Sequence, residues 1–233
     1  MIERRNPTGL HDPVLDELGL AIASGALPEG RVLTLDGIQE RFGVSRTVAR
    51  EAMRVLESMG MVTSRRRVGI TVRPMDDWNV FDPKVIWWRL AGPGRDAQLR
   101  TLTELRLAIE PLAAGAAARA ATGPERARLT ALAAELRRLG EAADLAEFME
   151  RDVEFHELLL RASGNEMFGA LAGPVAAVLR GRTRLGLMPH QPVRAALDLH
   201  EAVAAAVAAG RAAAAEEAMR ELLAEVRTAT LPG

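Results

Sequence analysis

Three arginines four residues apart are the first feature of this sequence with chemistry to offer. Arg46, Arg50 and Arg54 fall at i, i+4 and i+8, so on a helix they share one face. A planar guanidinium fork matches guanine O6 and N7, or a phosphate, through paired hydrogen bonds. Val48, Ala52, Val55 and Met59 form an apolar stripe on the other side. Such a helix can seat its stripe on its own domain and present arginines to a major groove. Arg46 and Thr47 stand behind the capping residue Ser45, at a helix N-terminus whose free N–H groups favour phosphate. A second basic run, Arg65-Arg66-Arg67, would reach a neighbouring groove or backbone. The alternative is a solvated face on which Arg50 and Arg54 pair with Glu57 and other acids.

A second set of residues suggests a different chemistry. Asp152 and His156 lie one helical turn apart, with Phe148, Met149, Phe155 and Leu159 on or beside their face. His200 has a similar setting between Leu197 and Val203. A carboxylate among apolar residues is unfavourable unless it is paired or bound to a cation. One aspartate and two histidines converging in a helical bundle suit zinc, nickel or manganese. The alternative is histidines that are hydrogen-bonded and hold no metal. The same trio could activate water in a helical hydrolase, but no nucleophile or separate general base accompanies it.

The elements that must position these residues can be read from spacing. Asp12-Pro13 opens a first helix with Leu15, Leu18 and Ile22 on one face, ended by Gly25. Leu35, Ile38 and Phe42 mark a second, Gly43-Val44-Ser45 a tight turn, and Gly60 the end of the third. Met61–Thr63 and Ile70–Val72 read as two strands with a basic loop between them. Three helices and a hairpin make a winged helix-turn-helix, here residues 1–75. Residues 76–95 hold Trp78, Trp87 and Trp88 without clear period and read as a connector packed on both halves. From 96 to 233 the pattern is helical, with breaks at Gly123-Pro124, Gly140, Ser163-Gly164-Asn165, Met188-Pro189 and Gly210. These predict about six helices in an all-α bundle, kinked at Pro111 and Pro174. The fold class is mainly α.

Composition sets the bounds. The net charge of −1 conceals a basic stretch from Arg41 to Arg73, with eight arginines against two acids. A basic patch on an otherwise acidic chain suggests a local polyanion site, and with the winged helix double-stranded DNA is the expected partner. Cysteine is absent, which excludes disulfides, thiolate metal sites and cysteine catalysis and suits a cytoplasmic location. No apolar run is long enough to cross a membrane, and the N-terminus lacks the apolar core of a secretory signal. One small winged helix reads few bases, so a homodimer on a palindrome is expected.

The run Phe42-Gly43-Val44-Ser45-Arg46-Thr47-Val48-Ala49-Arg50-Glu51-Ala52-Met53-Arg54-Val55-Leu56-Glu57-Ser58-Met59-Gly60-Met61-Val62 resembles the GntR family of bacterial regulators. The resemblance implies operator contacts by Arg46, Arg50 and the wing around Arg66. In that family an arginine before the second helix also contacts DNA; here Asp36 stands in its place, which removes that contact and leaves the operator preference open.

Glu104-Leu105-Arg106, Ile109-Glu110-Pro111, Asp152 to His156, Ser163-Gly164-Asn165 and Leu199-His200-Glu201 are together similar to the FCD domain of the FadR-like subfamily, from about Arg95 to Val226. The resemblance implies a regulator, not an enzyme, released from its operator by a carboxylate effector. It implies a metal on Asp152, His156 and His200, most readily zinc, with Leu222 where a further histidine falls. His190 is a possible substitute if its loop folds inward. Arg106 would hold the effector carboxylate, or else pair internally with Asp152 or Glu110. Asn165 is a further effector-binding candidate, and Arg180, Arg182 and Arg184 are weaker ones. The connector with Trp78-Asn79, Phe81-Asp82-Pro83 and Trp87 resembles that of galactonate and gluconate operon repressors, which implies a sugar acid. A constitutive DNA-binding dimer is the competing function.

Overall fold

The computed structural model describes residues 11–66, 69–186 and 193–230, with side chains from 13 to 225 within those spans. The chain divides into two compact units, Met1–Arg95 and Asp96–Gly233.

The first unit contains α1 (His11–Ala23), β1 (Val32–Leu33), α2 (Leu35–Phe42), α3 (Arg46–Ser58), β2 (Val62–Arg65), β3 (Gly69–Val72) and α4 (Pro83–Ala91). Asp12 and Pro13 both lie inside the first turn of α1, so the expected cap before the helix is replaced by an earlier start. Thr34 caps α2 by accepting the Gly37 N–H at 3.1 Å, and Ser45 caps α3 by accepting that of Val48 at 3.3 Å. Gly60, at φ +74°, turns the chain out of α3 into β2 with no room for a side chain beside the Asp77 carbonyl. The sheet is antiparallel in the order β1-β3-β2. β2 pairs with β3 from Val62↔Val72 to Arg65↔Gly69. The two-residue β1, which the sequence does not announce, exists through its pairing with Thr71 and Ile70.

Helix α3 buries Ala49, Ala52, Met53 and Leu56, followed by Met59. The expected stripe is therefore rotated: Val48 and Val55 are only half-buried at its margin. Ala49, fully buried, has the small side chain that close approach of α1 requires. The segment expected to be an aperiodic connector is also different. It contains α4, capped by Asp82 and started by Pro83, and its Trp88 is buried in the same apolar cluster as Leu15, Leu18 and Leu56, with Trp78 and Trp87 packed against that cluster. Asp16 Oδ1 accepts both the Trp88 indole N–H at 3.2 Å and the Lys84 ammonium at 3.0 Å, which fixes α4 on α1. A Cβ on Gly19 would lie 2.5 Å from the Trp88 ring. Gly19→Ala is accordingly expected to destabilise this unit by about 1–3 kcal/mol through overpacking, seen as a lower urea midpoint. An unchanged midpoint would contradict this packing.

The second unit is all helical: α5 (Arg95–Ala120), α6 (Gly123–Glu141), α7 (Leu145–Ala162), α8 (Glu166–Ala170), α9 (Ala172–Arg184), α10 (Arg194–Ala208) and α11 (Ala212–Thr230). These are seven helices among the described residues, one more than expected, because Leu171 separates the short α8 from α9. Gly140 is inside α6, against Leu197 of α10. Pro174 is in the first turn of α9, where its missing N–H has no partner to lose. α10 packs on α11 and α6, and α7 on α6 and α9. Arg126 joins two helix ends: it donates to Ala118 O at 2.8 Å and Ala121 O at 2.9 Å at the end of α5, and to Val207 O and Ala208 O at the end of α10. A guanidinium there meets orphan carbonyls at the negative pole of each helix. Among the described residues no helix is long and apolar enough to cross a membrane.

Candidate functional site

In the first unit the solvent-facing side of α3 is a basic surface. Arg46, Thr47, Arg50 and Arg54 are all exposed, as are Arg65 and Arg66 at the end of the hairpin; Arg67 lies outside the described residues. Glu57 does not neutralise this surface as a merely solvated face would require. Its Oε1 accepts the Ser64 N–H at 2.8 Å, tying the C-terminal turn of α3 to β2 and fixing the wing relative to the helix. The three arginines are not equivalent. Arg46 Nη1 donates to Asp36 Oδ1 at 2.7 Å and Arg54 Nη1 to Glu51 Oε1 at 3.0 Å. Arg50 has no carboxylate partner among the described residues.

Among the described residues of the second unit six ionisable ones are buried: Arg106 and Glu110 on α5, Asp152 and His156 on α7, Arg182 on α9 and His200 on α10. Helical spacing positions two of the pairs. Arg106 reaches Glu110 one turn on, with Nε 2.5 Å from Oε1 and Nη2 3.5 Å from Oε2. Asp152 and His156 share a face of α7, with His156 Nε2 3.5 Å from Asp152 Oδ1. Packing supplies the rest. His156 Nδ1 lies 2.5 Å from Glu110 Oε2, and His200 Nε2 lies 3.1 Å from Asp152 Oδ1. Phe155 sets its ring edgewise to both imidazoles and walls the site off from the apolar core.

The electrostatics follow from burial and pairing. Burial alone would raise the Glu110 carboxyl, but the charges of Arg106 and His156 and their hydrogen bonds bring it down to about 2. Burial would likewise raise Asp152, yet hydrogen bonds from His156 and His200 hold it well below the usual range. Burial disfavours the charged form of His156 and the Arg106 charge opposes it, but Glu110 and Asp152 prevail and lift it to about 9. Burial lowers Arg182 to about 10, with the Arg106 charge adding to the effect and Asp152 opposing it.

Asp152, His156 and His200 each offer a ligand atom, and these atoms lie within 4.8 Å of one another. The hydrogen bonds behind them suit a cation. His200 Nδ1 sits 2.7 Å from Ala196 O, a carbonyl that can only accept, so this nitrogen carries the proton. The opposite nitrogen then faces the Asp152 carboxylate, an attractive contact only if the ring takes a second proton or a cation is shared between them. His156 is arranged alike, with Nδ1 on Glu110 and Nε2 toward Asp152. A histidine whose far nitrogen is held by a carbonyl or carboxylate is the usual supporting arrangement for a metal ligand. The donor set therefore fits a divalent ion.

Other candidates fall elsewhere. Asn165 is exposed and its Oδ1 accepts the Met167 N–H at 2.9 Å, capping α8; this local role places it apart from the buried cluster. Leu222 is fully buried in the main apolar cluster with Phe155 and Leu197. His190 lies outside the described residues. Arg180 pairs with Glu150 at 3.2 Å and Arg184 is exposed, which leaves Arg182 as the buried one of the three. Glu110 is legible in the sequence only as a possible partner of Arg106; its place between Arg106 and His156 depends on the packing of α5 on α7. Apolar neighbours at Val178 and Leu179 are the available sign that Arg182 points inward.

A winged helix bearing an arginine-lined third helix, followed by an all-helical unit with a buried polar site, defines a DNA-binding regulator of transcription. Residues 10–72 match the bacterial regulatory proteins of the gntR family and residues 101–225 the FCD domain. The chain belongs to the GntR family, in its FCD-containing branch. It is 30% identical over 209 residues to the uncharacterized HTH-type transcriptional regulator YieP of Escherichia coli K12, covering 89% of this chain and 90% of that one. It is 27% identical over 217 residues to the galactonate operon transcriptional repressor of the same organism, covering 91% and 93%. The solved structure of Streptococcus agalactiae GntR superimposes with a TM-score of 0.53 at 23% identity, over 93% of this chain and 98% of that one, and shares the fold. The relatives are named as regulators and not as enzymes.

Proposed function

We propose that this regulator is a homodimeric repressor that leaves a palindromic operator when a small hydroxycarboxylate, a sugar acid in the first instance, enters the buried site of its second unit. The observation that carries this reading is the cluster of buried charged groups in that site. The Arg106 guanidinium lies buried beside Glu110 and His156, with Asp152 one turn from His156 and Arg182 buried nearby, and a guanidinium meets a carboxylate through paired hydrogen bonds. A divalent ion on Asp152, His156 and His200, zinc before nickel or manganese, would be ligated by both imidazoles in their neutral form. It would supply a Lewis-acidic contact for a carboxylate and its neighbouring hydroxyl. Leucine at 222 leaves three protein ligands, which keeps coordination positions open. The galactonate operon repressor, by its name, supports a sugar acid.

Arg106 enters this reading with a modification. Its Nε edge is held by Glu110, so the effector carboxylate meets the outer guanidinium edge, with Arg182 as the second cation. Glu110 thereby acts as a positioning residue, fixing Arg106 and the His156 ring together. Release from DNA requires that the effector bind the DNA-free arrangement more tightly than the DNA-bound one.

Calorimetry of the full chain with galactonate, gluconate and related aldonates tests this. Wild type is expected to bind, and Arg106→Ala and Arg182→Ala to bind at least tenfold more weakly, about the effect of one charge-assisted hydrogen bond. Chelation should weaken binding and zinc restore it. Undiminished binding in both arginine variants would rule out this pocket. Binding indifferent to chelation would leave Asp152 and the two histidines as direct hydrogen-bonding partners.

A further inference from the structure

Asp36 lies in the first turn of α2, beside the N-terminus of α3, on the same surface as the arginines. Its Oδ1 accepts from Arg46 Nη1 at 2.7 Å and from Gln39 Nε2 at 3.1 Å. Gln39 Nε2 also donates to Leu35 O at 3.2 Å. The guanidinium of Arg46 is thus tied through a carboxylate and an amide to the backbone of α2. The pair is not a buried structural bridge, since the Arg46 and Asp36 side chains are 59% and 80% exposed. It sits where DNA would be met.

We infer that Asp36 is a specificity-determining residue, which holds the Arg46 fork for a base edge and makes the same surface a poor binder of phosphate. The inference rests on Arg46 meeting DNA. Two physical effects combine. A free arginine docks at the expense of rotamer freedom, and one that is already held loses less on binding. The geometry Asp36 imposes favours one docking direction, so the gain is realised where an acceptor lies in that direction, as guanine O6 and N7 can. The carboxylate also repels the phosphate backbone and neutralises one arginine that would otherwise displace a condensed counterion. Sequence-independent binding therefore weakens while the matched site is retained, which is discrimination by disfavouring the wrong partner. Arg50, with no carboxylate partner among the described residues, has no such restraint and provides the internal contrast.

The test is selection of binding sequences from a random duplex pool by the full-length wild type, Arg46→Ala, Asp36→Ala and Asp36→Asn. Fluorescence titration of the wild-type-selected duplex and a scrambled duplex follows, across a range of salt. Asp36→Ala is expected to lose preference at the positions that Arg46→Ala loses. It should bind the scrambled duplex roughly five- to tenfold more tightly at about 0.1 M salt, with a salt slope steeper by about one per subunit. Asp36→Asn keeps an acceptor for Arg46 but not the charge, so it should gain the scrambled-duplex affinity and keep part of the preference. A changed profile for Arg46→Ala beside a wild-type profile for Asp36→Ala overturns this inference alone. A wild-type profile for Arg46→Ala overturns the reading of α3 and this inference with it. Weaker binding of Asp36→Ala to every duplex would show that the carboxylate itself touches DNA, and also overturns the inference.

Discussion

Glu110→Ala is expected to lower the melting temperature of the second unit by roughly 10–15 °C. Glu110 is fully buried and accepts from Arg106 at 2.5 Å and from His156 at 2.5 Å. Removing it leaves two cations buried without their shared counter-charge, with Arg182 near enough to Arg106 to add repulsion. Breaking a buried ion pair by deleting one partner destabilises by about 3–5 kcal/mol, because the remaining charge stays desolvated. For a domain of this size each kcal/mol corresponds to about 3–4 °C. Glu110→Gln retains an acceptor and the side-chain volume and should fall between alanine and wild type. Calorimetric scanning of the full chain reads both. A Glu110→Ala transition within about 2 °C of wild type (roughly half a kcal/mol) would mean that water or bulk anions reach Arg106 and His156 in place of the lost carboxylate.

Arg46→Ala/Arg50→Ala is expected to abolish operator recognition, with affinity lower by at least roughly a thousandfold. Each arginine that reads a base contributes about 1–3 kcal/mol, and the proposed dimer would be deprived of both in each subunit. Asp36 adds to the deficit, because without Arg46 its carboxylate faces the phosphates uncompensated. Both arginines are exposed and outside the apolar cluster of the first unit, so thermal stability should stay within about 0.5 kcal/mol of wild type. Arg65→Ala or Arg66→Ala should act differently, weakening all duplexes alike and flattening the salt dependence by about one unit for each phosphate that is no longer neutralised. Electrophoretic shifts with a duplex selected by the wild type from a random pool, repeated at several salt concentrations, separate the two behaviours. A double variant that still shifts this duplex at wild-type concentration would displace recognition from α3 to the wing.

The features legible from residue order alone act within a few residues of chain. Ser45 and Thr34 cap their helices because a side-chain oxygen reaches an N–H three residues on, and that requires nothing from the rest of the molecule. Arg46, Arg50 and Arg54 share a face, and so do Asp152 and His156, because about 3.6 residues complete a turn wherever a helix forms. Family motifs extend this legibility to the role of the domains and to His200. The tertiary structure decided whatever depends on which helices meet. Glu110 lies 46 positions from His156 in the chain, and only the packing of α5 on α7 makes it the partner of both Arg106 and His156. Arg182 and His200 come from two further helices, and apolar neighbours alone do not separate the buried Arg182 from Arg180 and Arg184. The same holds in the first unit. Trp88 belongs to the core because Gly19 leaves room for its ring and Asp16 accepts its N–H, and β1 is a strand because β3 passes beside it. Hydrophobicity alone places Val48 and Val55 beside Ala52 and Met59 on the buried face of α3, whereas in the fold Ala49, Met53 and Leu56 take their place there. Hydrophobic pattern specifies that a face is covered, and shape complementarity with the covering element chooses which residues lie at its centre.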